Sequence, residues 1–375
     1  MKKKLLIFHP ALAPYRIDLF NGLNEEFDTN IYFFRTNLLS QKFDTNALNE
    51  QLNFKPKFLT TGFELFYKGR MIRFGYLKKV KLHKPDIILC SEYNLGTFLT
   101  ALFAKLYFPK SEVYTVCDDS VDVAKNSSLF RKTGRYLCMK VLDGLVLGND
   151  FAQEWYNKRF PKIKTIVSPI IQKEERIISI LNDAQNFSQK YINQYNLKDK
   201  NILLFVGRLV KVKNLVFLME VFSRYVEKNN NVILVLIGDG DKKSELLDHV
   251  KHLKIENNVL FAGRFENEKL YAWYRIADYF ILPSISETFG AVVNESLIAG
   301  VPVICSNLAG ASSLITEKNG VVFNPYDKEE LLSIFNKVLN KKKSTTNSFS
   351  LNNSLMPYTF EQRMNDLILF LNHEK

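Results

Sequence analysis

The sequence is poor in cysteine and tryptophan and contains no long apolar run. Its 375 residues include four cysteines, scattered without the close spacing of a metal site, and two tryptophans. This cysteine usage is typical of a reducing compartment, so we expect free thiols and no disulfides. The most apolar helical run, YNLGTFLTALFA, lies between Glu92 and Lys105 and is too short to cross a bilayer. The sequence therefore predicts a cytoplasmic protein, either free or peripheral at the inner face of a membrane.

Two motifs that would indicate other chemistry are also missing. Neither half of the chain has a Gly-x-Gly-x-x-Gly turn after its first strand, which argues against a dinucleotide-dependent dehydrogenase. The Asp-x-Asp spacing occurs once, in DGD at Asp239–Asp241, but there it belongs to a glycine-rich turn. No metal site is therefore predicted. No recognition motif for nucleic acid accompanies the basic charge, so no nucleic-acid partner is expected.

The positive charge is concentrated in the first half of the chain. Net charge is +12, and residues 1–170 hold 26 Lys and Arg against 16 Asp and Glu. The segment Tyr67–Pro85, YKGRMIRFGYLKKVKLHKP, mixes basic and apolar side chains. We interpret it as a basic amphipathic helix that forms either a solvated domain face or a contact with an anionic membrane surface.

Short apolar runs alternate with helical patterns along the whole chain. Six occur in the first half (KLLIF, NIYFF, DIILC, EVYTV, GLVLG, KTIVS) and six in the second (NILLFVG, NVILVLIG, NVLFAG, YFILPS, VPVICS, GVVFNP). This alternation predicts an α/β fold with two doubly wound parallel-sheet domains. The domains are expected at 1–170 and 201–355. The polar residues 171–200 would be an interdomain segment, and 356–375 a C-terminal helix that packs back across the domains.

Glycines and basic side chains follow the strands of the second half. Gly207, Arg208 and Lys213 come after the first strand, Gly238 after the second, and Arg264 after the third. The carboxyl ends of parallel strands meet at one edge of a sheet, where such folds bind ligands. Glycine lets a backbone approach a ligand closely, and arginine with lysine can neutralise a diphosphate without a metal. Each residue alone is more typical of a turn or a solvated surface. The prediction of a diphosphate site rests on their occurrence after successive strands.

Two glutamates follow the fourth strand, in SETFGAVVNESLIAGVPVI. Glu287 and Glu295 are separated by seven residues. We expect Glu287 in a loop near a helix N-terminus and Glu295 about two turns inside that helix. On one helix, eight positions rise about 12 Å, too far for two carboxylates to share a proton or a metal. They would instead hold two sugars, one at each end of a diphosphate, which is the outline of a nucleotide-sugar.

The motifs GRLVKVKN, IGDGD and FAGRFENEKLYAWYRIADYFILPSISETFGAVVNESLIAGVPVI together resemble a known family. They are similar to the retaining family-4 glycosyltransferases, the glycosyl transferases group 1, of the GT-B fold. The similarity is specific over about Asn201–Pro325 and looser in the first half. It implies two Rossmann-like domains that face a cleft.

The resemblance also implies a role for each residue at the donor site. Arg208 and Lys213 would bind the donor diphosphate and stabilise it as it leaves, and Glu295 would bind the ribose hydroxyls. Glu287 would hold the donor sugar together with four backbone positions. These positions are Thr288, Phe289, Gly290 and Ala291.

The same resemblance places the loop around Arg264 and Phe265 against the base. It implies a UDP- or GDP-linked sugar as substrate and no other cofactor, while no residue in this segment selects the base.

The first half departs from the family pattern at two points. The loop after its first strand, HPALAPYR, lacks the glycine pair that many members have near the donor phosphates. Where many members have a histidine near the reacting sugar, this chain has Asp118 and Asp119. Either one aspartate caps the next helix, or one contacts the donor sugar or the acceptor hydroxyl as a catalytic residue. His9 is interpreted as a packed residue at the end of a strand.

These observations predict a retaining, metal-independent glycosyltransferase. It would move a sugar from a nucleotide diphosphate to a glycan or lipid-linked acceptor, in bacterial surface polysaccharide synthesis. The alternatives are a nucleotide-sugar epimerase of similar fold and a non-catalytic subunit that binds nucleotide-sugars. The missing glycine pair and histidine leave this second alternative open.

Overall fold

The computed structural model describes residues 1–37, 43–59, 61–65, 70–339 and 351–373. The chain divides into two compact units. The first unit is Met1–Ile171 together with Phe360–Lys375, and the second is Gln172–Thr359.

The first unit is built on a seven-stranded parallel sheet of order β3-β2-β1-β6-β7-β8-β9, with a separate β4-β5 hairpin. Its strands are β1 (Lys4–His9), β2 (Asp28–Phe33), β3 (Lys57–Phe58), β4 (Gly62–Leu65), β5 (Arg70–Arg73), β6 (Ile87–Ser91), β7 (Glu112–Cys117), β8 (Gly144–Leu147) and β9 (Lys164–Val167). All residues of β6 and β8 are buried. This double-sided burial explains why these strands read as continuous apolar runs rather than as alternating patterns.

Seven helices connect these strands: α1 (Ile17–Glu26), α2 (Thr45–Glu50), α3 (Tyr76–His83), α4 (Leu95–Tyr107), α5 (Val121–Lys125), α6 (Leu129–Cys138) and α7 (Asp150–Arg159). Five of them begin where a short polar side chain accepts a hydrogen bond from a backbone N–H of the first turn. The capping residues are Asp44, Asn94, Ser120, Ser128 and Asn149. Such caps satisfy N–H groups that have no partner within the helix.

The second unit is a six-stranded parallel sheet of order β12-β11-β10-β13-β14-β15. Its strands are β10 (Asn201–Val206), β11 (Val232–Ile237), β12 (Val259–Gly263), β13 (Tyr279–Leu282), β14 (Val303–Ser306) and β15 (Gly320–Phe323). Its helices are α8 (Glu174–Asp183), α9 (Gln185–Gln194), α10 (Leu215–Val226), α11 (Lys243–His252), α12 (Asn267–Ile276), α13 (Ala291–Ile298) and α14 (Lys328–Val338). The strand order reverses between β10 and β13, and in such sheets ligands bind beyond the carboxyl ends of the strands at this switch point.

The segment predicted to connect the two domains, residues 171–200, contains the two helices α8 and α9 of the second unit. Both pack on α12, and α8 also packs on α13. The Ser188 hydroxyl donates to the Ala272 carbonyl at 3.1 Å, and the Tyr191 ring stacks on Trp273 with 4.6 Å between centroids. These residues therefore form a helical layer of the second unit.

The last helix, α15 (Phe360–Asn372), returns to the first unit. It packs on α1 and β9, and a Cβ at Gly22 of α1 would lie 3.1 Å from the Met364 Cε atom. The glycine thus lets the two helices approach closely.

The basic amphipathic helix expected over Tyr67–Pro85 is wrong in extent. Only Tyr76–His83 is helical, and Arg70–Arg73 forms β5, which pairs antiparallel with β4. The helix begins after Gly75, whose φ of 98° breaks the regular backbone. Residues 66–69 lie outside the described residues.

The fold class expected from the sequence, α/β with two doubly wound parallel sheets, is confirmed. Among the helices in the described ranges, none is both long enough and apolar enough to cross a membrane.

Candidate functional site

Two glycines bring the ends of β10 and β11 into backbone contact. A Cβ at Gly238 would lie 1.9 Å from the carbonyl oxygen of Gly207, so no other residue fits there without moving the strand end. The Gly238 N–H donates to the Gly263 carbonyl at 2.8 Å, which ties in the end of β12. Three neighbouring strands therefore end in glycine backbone, and a ligand can approach this edge closely.

Lys213 and Glu287 form an ion pair at the same edge. Lys213 ends the short 3-10 turn after β10, and Glu287 lies in the loop after β13. Their side chains are only 12% and 17% exposed. The Ile285 N–H donates to the Val212 carbonyl at 2.9 Å, which joins the same two loops. Two residues assigned to the donor site are thus in direct contact across the switch point.

Arg208 stands at the beginning of the turn that carries Lys213. The Val210 N–H donates to the Arg208 carbonyl and the Lys213 N–H to the Val210 carbonyl, each at 3.0 Å. The Arg208 side chain is exposed. Within the described ranges it has neither a hydrogen-bond partner nor an ion-pair partner. Its guanidinium is therefore available to an anion, whereas the Lys213 ammonium is shared with Glu287.

The loop from Thr288 to Ala291 leads into the N-terminus of α13. Thr288 is exposed, while Phe289 is buried. Gly290 has a φ of 100°, and a Cβ there would lie 2.8 Å from Leu282 Cδ2. Ala291 is the first residue of α13. The backbone of this loop therefore presents the N–H groups and positive dipole of a helix start.

Glu295 is held by two polar partners inside the second unit. Its Oε2 atom accepts from the Tyr274 hydroxyl at 2.9 Å, and its Oε1 atom from Gln172 Nε2 at 3.4 Å. Burial raises the pKa of the Glu295 carboxyl above its ordinary value, although these hydrogen bonds act in the opposite direction. Since α13 begins at Ala291, Glu295 lies just over one turn inside the helix rather than two.

The side chains of Arg264 and Phe265, which follow β12, have different surroundings. Arg264 is about half exposed, and its Nη2 atom donates to Glu266 Oε1 at 2.5 Å. The Phe265 ring packs inward, with its centroid 5.5 Å from that of Tyr191 and 6.0 Å from that of Trp273. Of the two side chains predicted near the base, only that of Arg264 lies at the surface.

The acidic turn DGD carries out local structural roles. The Asp239 carboxylate accepts from the Gly240 N–H at 3.0 Å and lies 3.9 Å from Lys243. The Leu209 N–H donates to the Asp239 carbonyl at 2.9 Å. This turn therefore supports the loop after β10.

Asp118 and Asp119 follow β7 in the first unit, and each is bound to an arginine. Asp118 Oδ2 accepts from Arg16 Nη2 at 2.5 Å, and Asp119 Oδ1 accepts from Arg131 Nη2 at 2.8 Å. The alternative in which one aspartate caps the next helix is wrong. Ser120 caps α5, accepting from the Val123 N–H at 3.3 Å. The hydroxyl is better placed because it is one residue nearer to the helix.

Glu92, after β6, completes this network. Arg131 Nη2 also donates to Glu92 Oε2 at 2.6 Å, and Arg135 lies 3.8 Å from Asp119. Burial raises the pKa of Glu92 to about 7 and also raises that of Asp119. Ligand atoms of Glu92, Cys117 and Asp119 lie within 4.8 Å of one another, as in a metal site. The Arg131 guanidinium bridges both carboxylates, however, so it supplies the positive charge that a metal would bring.

His9 lies at the end of β1 as a packed residue. Its ring contacts that of Phe20 at 5.1 Å, and its Nδ1 atom lies 2.9 Å from the Ala11 carbonyl. Burial, and then the charge of Arg16, lowers the pKa of His9 to about 4. The ring is therefore neutral near pH 7.

The sequence reasoning missed several residues of these clusters. Glu92 comes two residues after the run DIILC and directly after β6, so the rule that selected the other strand ends would have found it. Arg131 comes 12 residues after Asp119, and Gln172 comes 123 residues before Glu295. No local pattern marks such long-range partners. Tyr274, inside α12, reads only as an apolar helix position.

The chain is similar in sequence to known glycosyltransferases. The model of the family described as glycosyl transferases group 1 matches residues 187–353. The chain is 26% identical to the alpha-monoglucosyldiacylglycerol synthase of Streptococcus pneumoniae, over 68% of this chain and 60% of that protein. It is 36% identical to the N-acetylgalactosamine-N,N'-diacetylbacillosaminyl-diphospho-undecaprenol 4-alpha-N-acetylgalactosaminyltransferase of Campylobacter jejuni, over 33% of each.

A solved structure extends the similarity in fold to both units. The crystal structure of Anabaena HepE in complex with UDP has a TM-score of 0.69 and 16% identity, covering 99% of this chain and 97% of that chain. By contrast, the sequence matches to the two relatives span 60% and 33% of their lengths. Residues 187–353 are therefore similar to the glycosyl transferases group 1 family, and the two Rossmann-like units have the GT-B fold.

Proposed function

We propose that this protein transfers a sugar from a nucleotide diphosphate, UDP or GDP, to a glycan or lipid-linked acceptor in the synthesis of a bacterial surface polysaccharide. The observation that carries the proposal is the Lys213–Glu287 ion pair beside the unpartnered Arg208, at the switch point of the second sheet. The relatives' names support the acceptor class, since one is a synthase of a glucosyldiacylglycerol and one a transferase to a diphospho-undecaprenol-linked sugar.

The donor diphosphate would lie between Arg208, Lys213 and the start of α13. An ammonium has three N–H donors, so Lys213 can keep its bond to Glu287 and still donate to a phosphate oxygen. Arginine offers a planar pair of donors that suits a phosphate. The bare backbone at Gly207 and Gly238 allows the close approach that this arrangement requires.

The two ends of the donor would contact the two glutamates. Glu295, with Tyr274 and Gln172 as fixed partners, would accept hydrogen bonds from the ribose hydroxyls. Glu287 and the backbone from Thr288 to Ala291 would hold the transferred sugar. The exposed side chain of Arg264 would lie along the base.

The transfer step would retain the anomeric configuration. The acceptor hydroxyl oxygen would form the new bond to the anomeric carbon on the face from which the diphosphate leaves, as the bond to the diphosphate oxygen breaks. On that face the departing phosphate oxygen is the nearest base, so it would take the hydroxyl proton. The largest charge develops on the diphosphate, where Arg208 and Lys213 would stabilise it.

The same cations would make a divalent ion redundant. Glu287 offsets part of the Lys213 charge, so Arg208 and the N-terminus of α13 would carry much of the neutralisation. The metal-independent mechanism rests on these groups and is open to direct test.

A membrane surface is the proposed location of the acceptor. Helix α3 exposes Lys78 and Lys81 together with Leu82, and it packs on α4. Four leucines of α4 are also exposed at helical spacing: Leu95, Leu99, Leu102 and Leu106. Lysines beside exposed leucines match the requirements of an interfacial helix on anionic lipid.

One observation favours a second candidate, a subunit that binds nucleotide-sugars without transferring the sugar. Asp118 and Asp119 are both bound to arginines, and their two oxygens without a hydrogen bond, Asp118 Oδ1 and Asp119 Oδ2, are buried, so neither of these oxygens is exposed to an acceptor hydroxyl.

The experiment that separates these candidates begins with a thermal-shift screen of UDP- and GDP-sugars. A ligand that binds only the folded state must raise the unfolding temperature. We expect one donor to do so in the wild type and not in Arg208→Ala. That donor is then incubated with extracted bacterial lipid acceptors. Sugar transfer supports the enzyme, stabilisation without transfer supports the binding subunit, and the absence of any stabilising donor contradicts both.

A further inference from the structure

The first unit contains an open cavity of about 560 Å³. It is bounded by the end of α5, one side of α6 and the second half of α7. A volume of this size is within the range of small-molecule sites. No lining residue is itself assigned to the donor, although Arg135 lies 3.8 Å from Asp119, so binding in this cavity can be measured without the transfer reaction.

The cavity is lined by four cations and by no acidic residue. Lys125 comes from α5, Lys132 and Arg135 from α6, and Arg159 from α7. In the described part of the chain, no carboxylate lies within ion-pair distance of Lys125, Lys132 or Arg159. Arg135 lies 3.8 Å from Asp119, so three of the four cations lack a counter-ion among the described residues. Like charges held together repel, so an anion bound among these three would gain from all of them at once.

Arg135 is the residue of the cavity wall that is held most firmly in place. It is only 3% exposed, and two donors fix its guanidinium: Nη1 to the Ala124 carbonyl at 3.1 Å and Nη2 to the Ser127 hydroxyl at 3.3 Å. Its Nε atom is buried and has no acceptor among the described residues. This atom has no accessible surface, so an anion in the cavity would bind to Lys125, Lys132 and Arg159, and Arg135 would contribute its charge from the cavity wall.

The remaining walls are aromatic. Trp155, Tyr136 and Phe160 line the cavity, and the Arg135 guanidinium lies 5.3 Å from the Trp155 ring. Aromatic faces favour an apolar or planar group next to the anion. The lining thus combines several separate cationic donors with one apolar side.

We propose that this cavity binds the phosphate group of a phosphorylated ligand. A phosphate carries about two charges and several acceptor oxygens, which matches cations that approach from three helices better than a single carboxylate would. The ligand has two sources of the same chemistry, a soluble phosphate monoester or the headgroup of an anionic phospholipid.

Trp155 provides a local signal for the test. The chain has two tryptophans, and the other, Trp273, is fully buried in the second unit. Titration with inorganic phosphate should change the tryptophan emission in a saturable way. Lys132→Ala and Arg159→Ala, both at exposed positions, should weaken this binding about tenfold, as expected for one charged hydrogen bond.

Lys158→Ala is the matched control. Lys158 lies next to Arg159 on α7 but pairs with Glu154 and does not line the cavity. Its tryptophan emission should respond to phosphate as that of the wild type does. Emission that does not change, or binding weakened equally in Lys158→Ala, would overturn the proposal.

Two further titrations distinguish the sources. Glycerol 1-phosphate tests a soluble ligand, and phosphatidylglycerol vesicles, compared with phosphatidylcholine vesicles, test a lipid headgroup. The source that gives the emission change at the lower phosphate concentration identifies the ligand class, provided that Arg159→Ala reduces it. If Arg159→Ala leaves both responses unchanged, the cavity does not bind them.

Discussion

Lys213 and Glu287 form a largely buried ion pair that joins the loop after β10 to the loop after β13. The pair spans the point at which the strand order of the second sheet reverses. A carboxylate beside a proposed diphosphate would repel it unless the ammonium lies between them. The two residues must therefore be understood together, and their single substitutions should have unequal effects.

Lys213→Ala should weaken nucleoside diphosphate binding by about 1.5–3 kcal/mol, the range for charged hydrogen bonds. It removes a cation and also leaves Glu287 uncompensated. Glu287→Ala should change the affinity for the nucleoside diphosphate much less, because it removes only the carboxylate that repels the diphosphate. The double variant should regain part of the lost affinity. Calorimetric titration of the four proteins measures the coupling as a double-mutant cycle.

Lys211→Ala is the control for this cycle, because Lys211 lies in the same turn and is exposed. It should bind like the wild type. If the double variant binds more weakly than Lys213→Ala, the carboxylate contributes to binding and does not repel the diphosphate.

Glu295→Ala should weaken binding of a nucleoside diphosphate by about 1.5–3 kcal/mol and leave binding of inorganic pyrophosphate unchanged. The reason is that Glu295 is assigned to the ribose and pyrophosphate has none. Glu287→Ala should instead mainly slow sugar transfer. Parallel titrations with the two ligands check the assignment, and an equal loss for both would remove Glu295 from the ribose site.

The first unit should become less stable as the pH rises from about 4.5 to about 7, through Glu92. Its pKa is raised to about 7, chiefly by burial, from an ordinary value of 4.5. Between these two pH values the folded state keeps a proton that the unfolded state has lost. The free energy of unfolding therefore falls as the pH rises towards the pKa of Glu92 in the folded state. The raised pKa of Asp119 acts in the same direction.

Glu92→Gln isolates this effect, because it cannot titrate. The unfolding midpoint, followed by the emission of Trp155 in the first unit, should fall less in this variant than in the wild type over that range. His9→Gln is a useful comparison. The pKa of His9 is lowered to about 4, so below pH 6.5 the unfolded state binds a proton at His9 that the folded state does not. The stability that neutral His9 contributes is therefore lost as the pH falls below 6.5. Identical pH profiles for wild type and Glu92→Gln would contradict the assignment.

Replacing Lys78 and Lys81 with Gln should weaken binding to anionic vesicles by about 1 kcal/mol per lysine. The proposed attraction is electrostatic, so wild-type binding should also decrease as salt is added. Vesicle sedimentation measures both effects. The control replaces Lys251 and Lys254, which are exposed in the second unit. Equal binding to neutral and anionic vesicles, or an equal loss of binding in the control variant, would mean that α3 is only a solvated face of the domain.

The sequence was sufficient to predict the two parallel sheets, because buried parallel strands are continuous apolar runs. All 12 runs identified from the sequence are strands. The three strands that were missed lack this signal. β3 has two residues, Lys57–Phe58, both exposed, and β4 and β5 form a separate antiparallel hairpin. Such edge elements depend on tertiary contacts rather than on a local pattern.

The sequence was sufficient to locate the candidate site but not to predict which of its side chains contact each other. Strand ends meet at one edge, so Arg208, Lys213 and Glu287 could be assigned to one region. The ion pair between Lys213 and Glu287 joins residues 74 positions apart, and no spacing rule predicts it. The arginine partners of Asp118 and Asp119 were missed for the same reason, and the helix cap was assigned one residue too early.

The most direct test of the account is the anomeric configuration of the product, formed in EDTA from the donor identified by the thermal-shift screen. Transfer should proceed without a divalent ion, because in the proposed site Arg208, Lys213 and the N-terminus of α13 would neutralise the diphosphate. Proton NMR of the product should show the configuration of the donor. An inverted anomeric centre, or activity that EDTA abolishes and manganese restores, would contradict it.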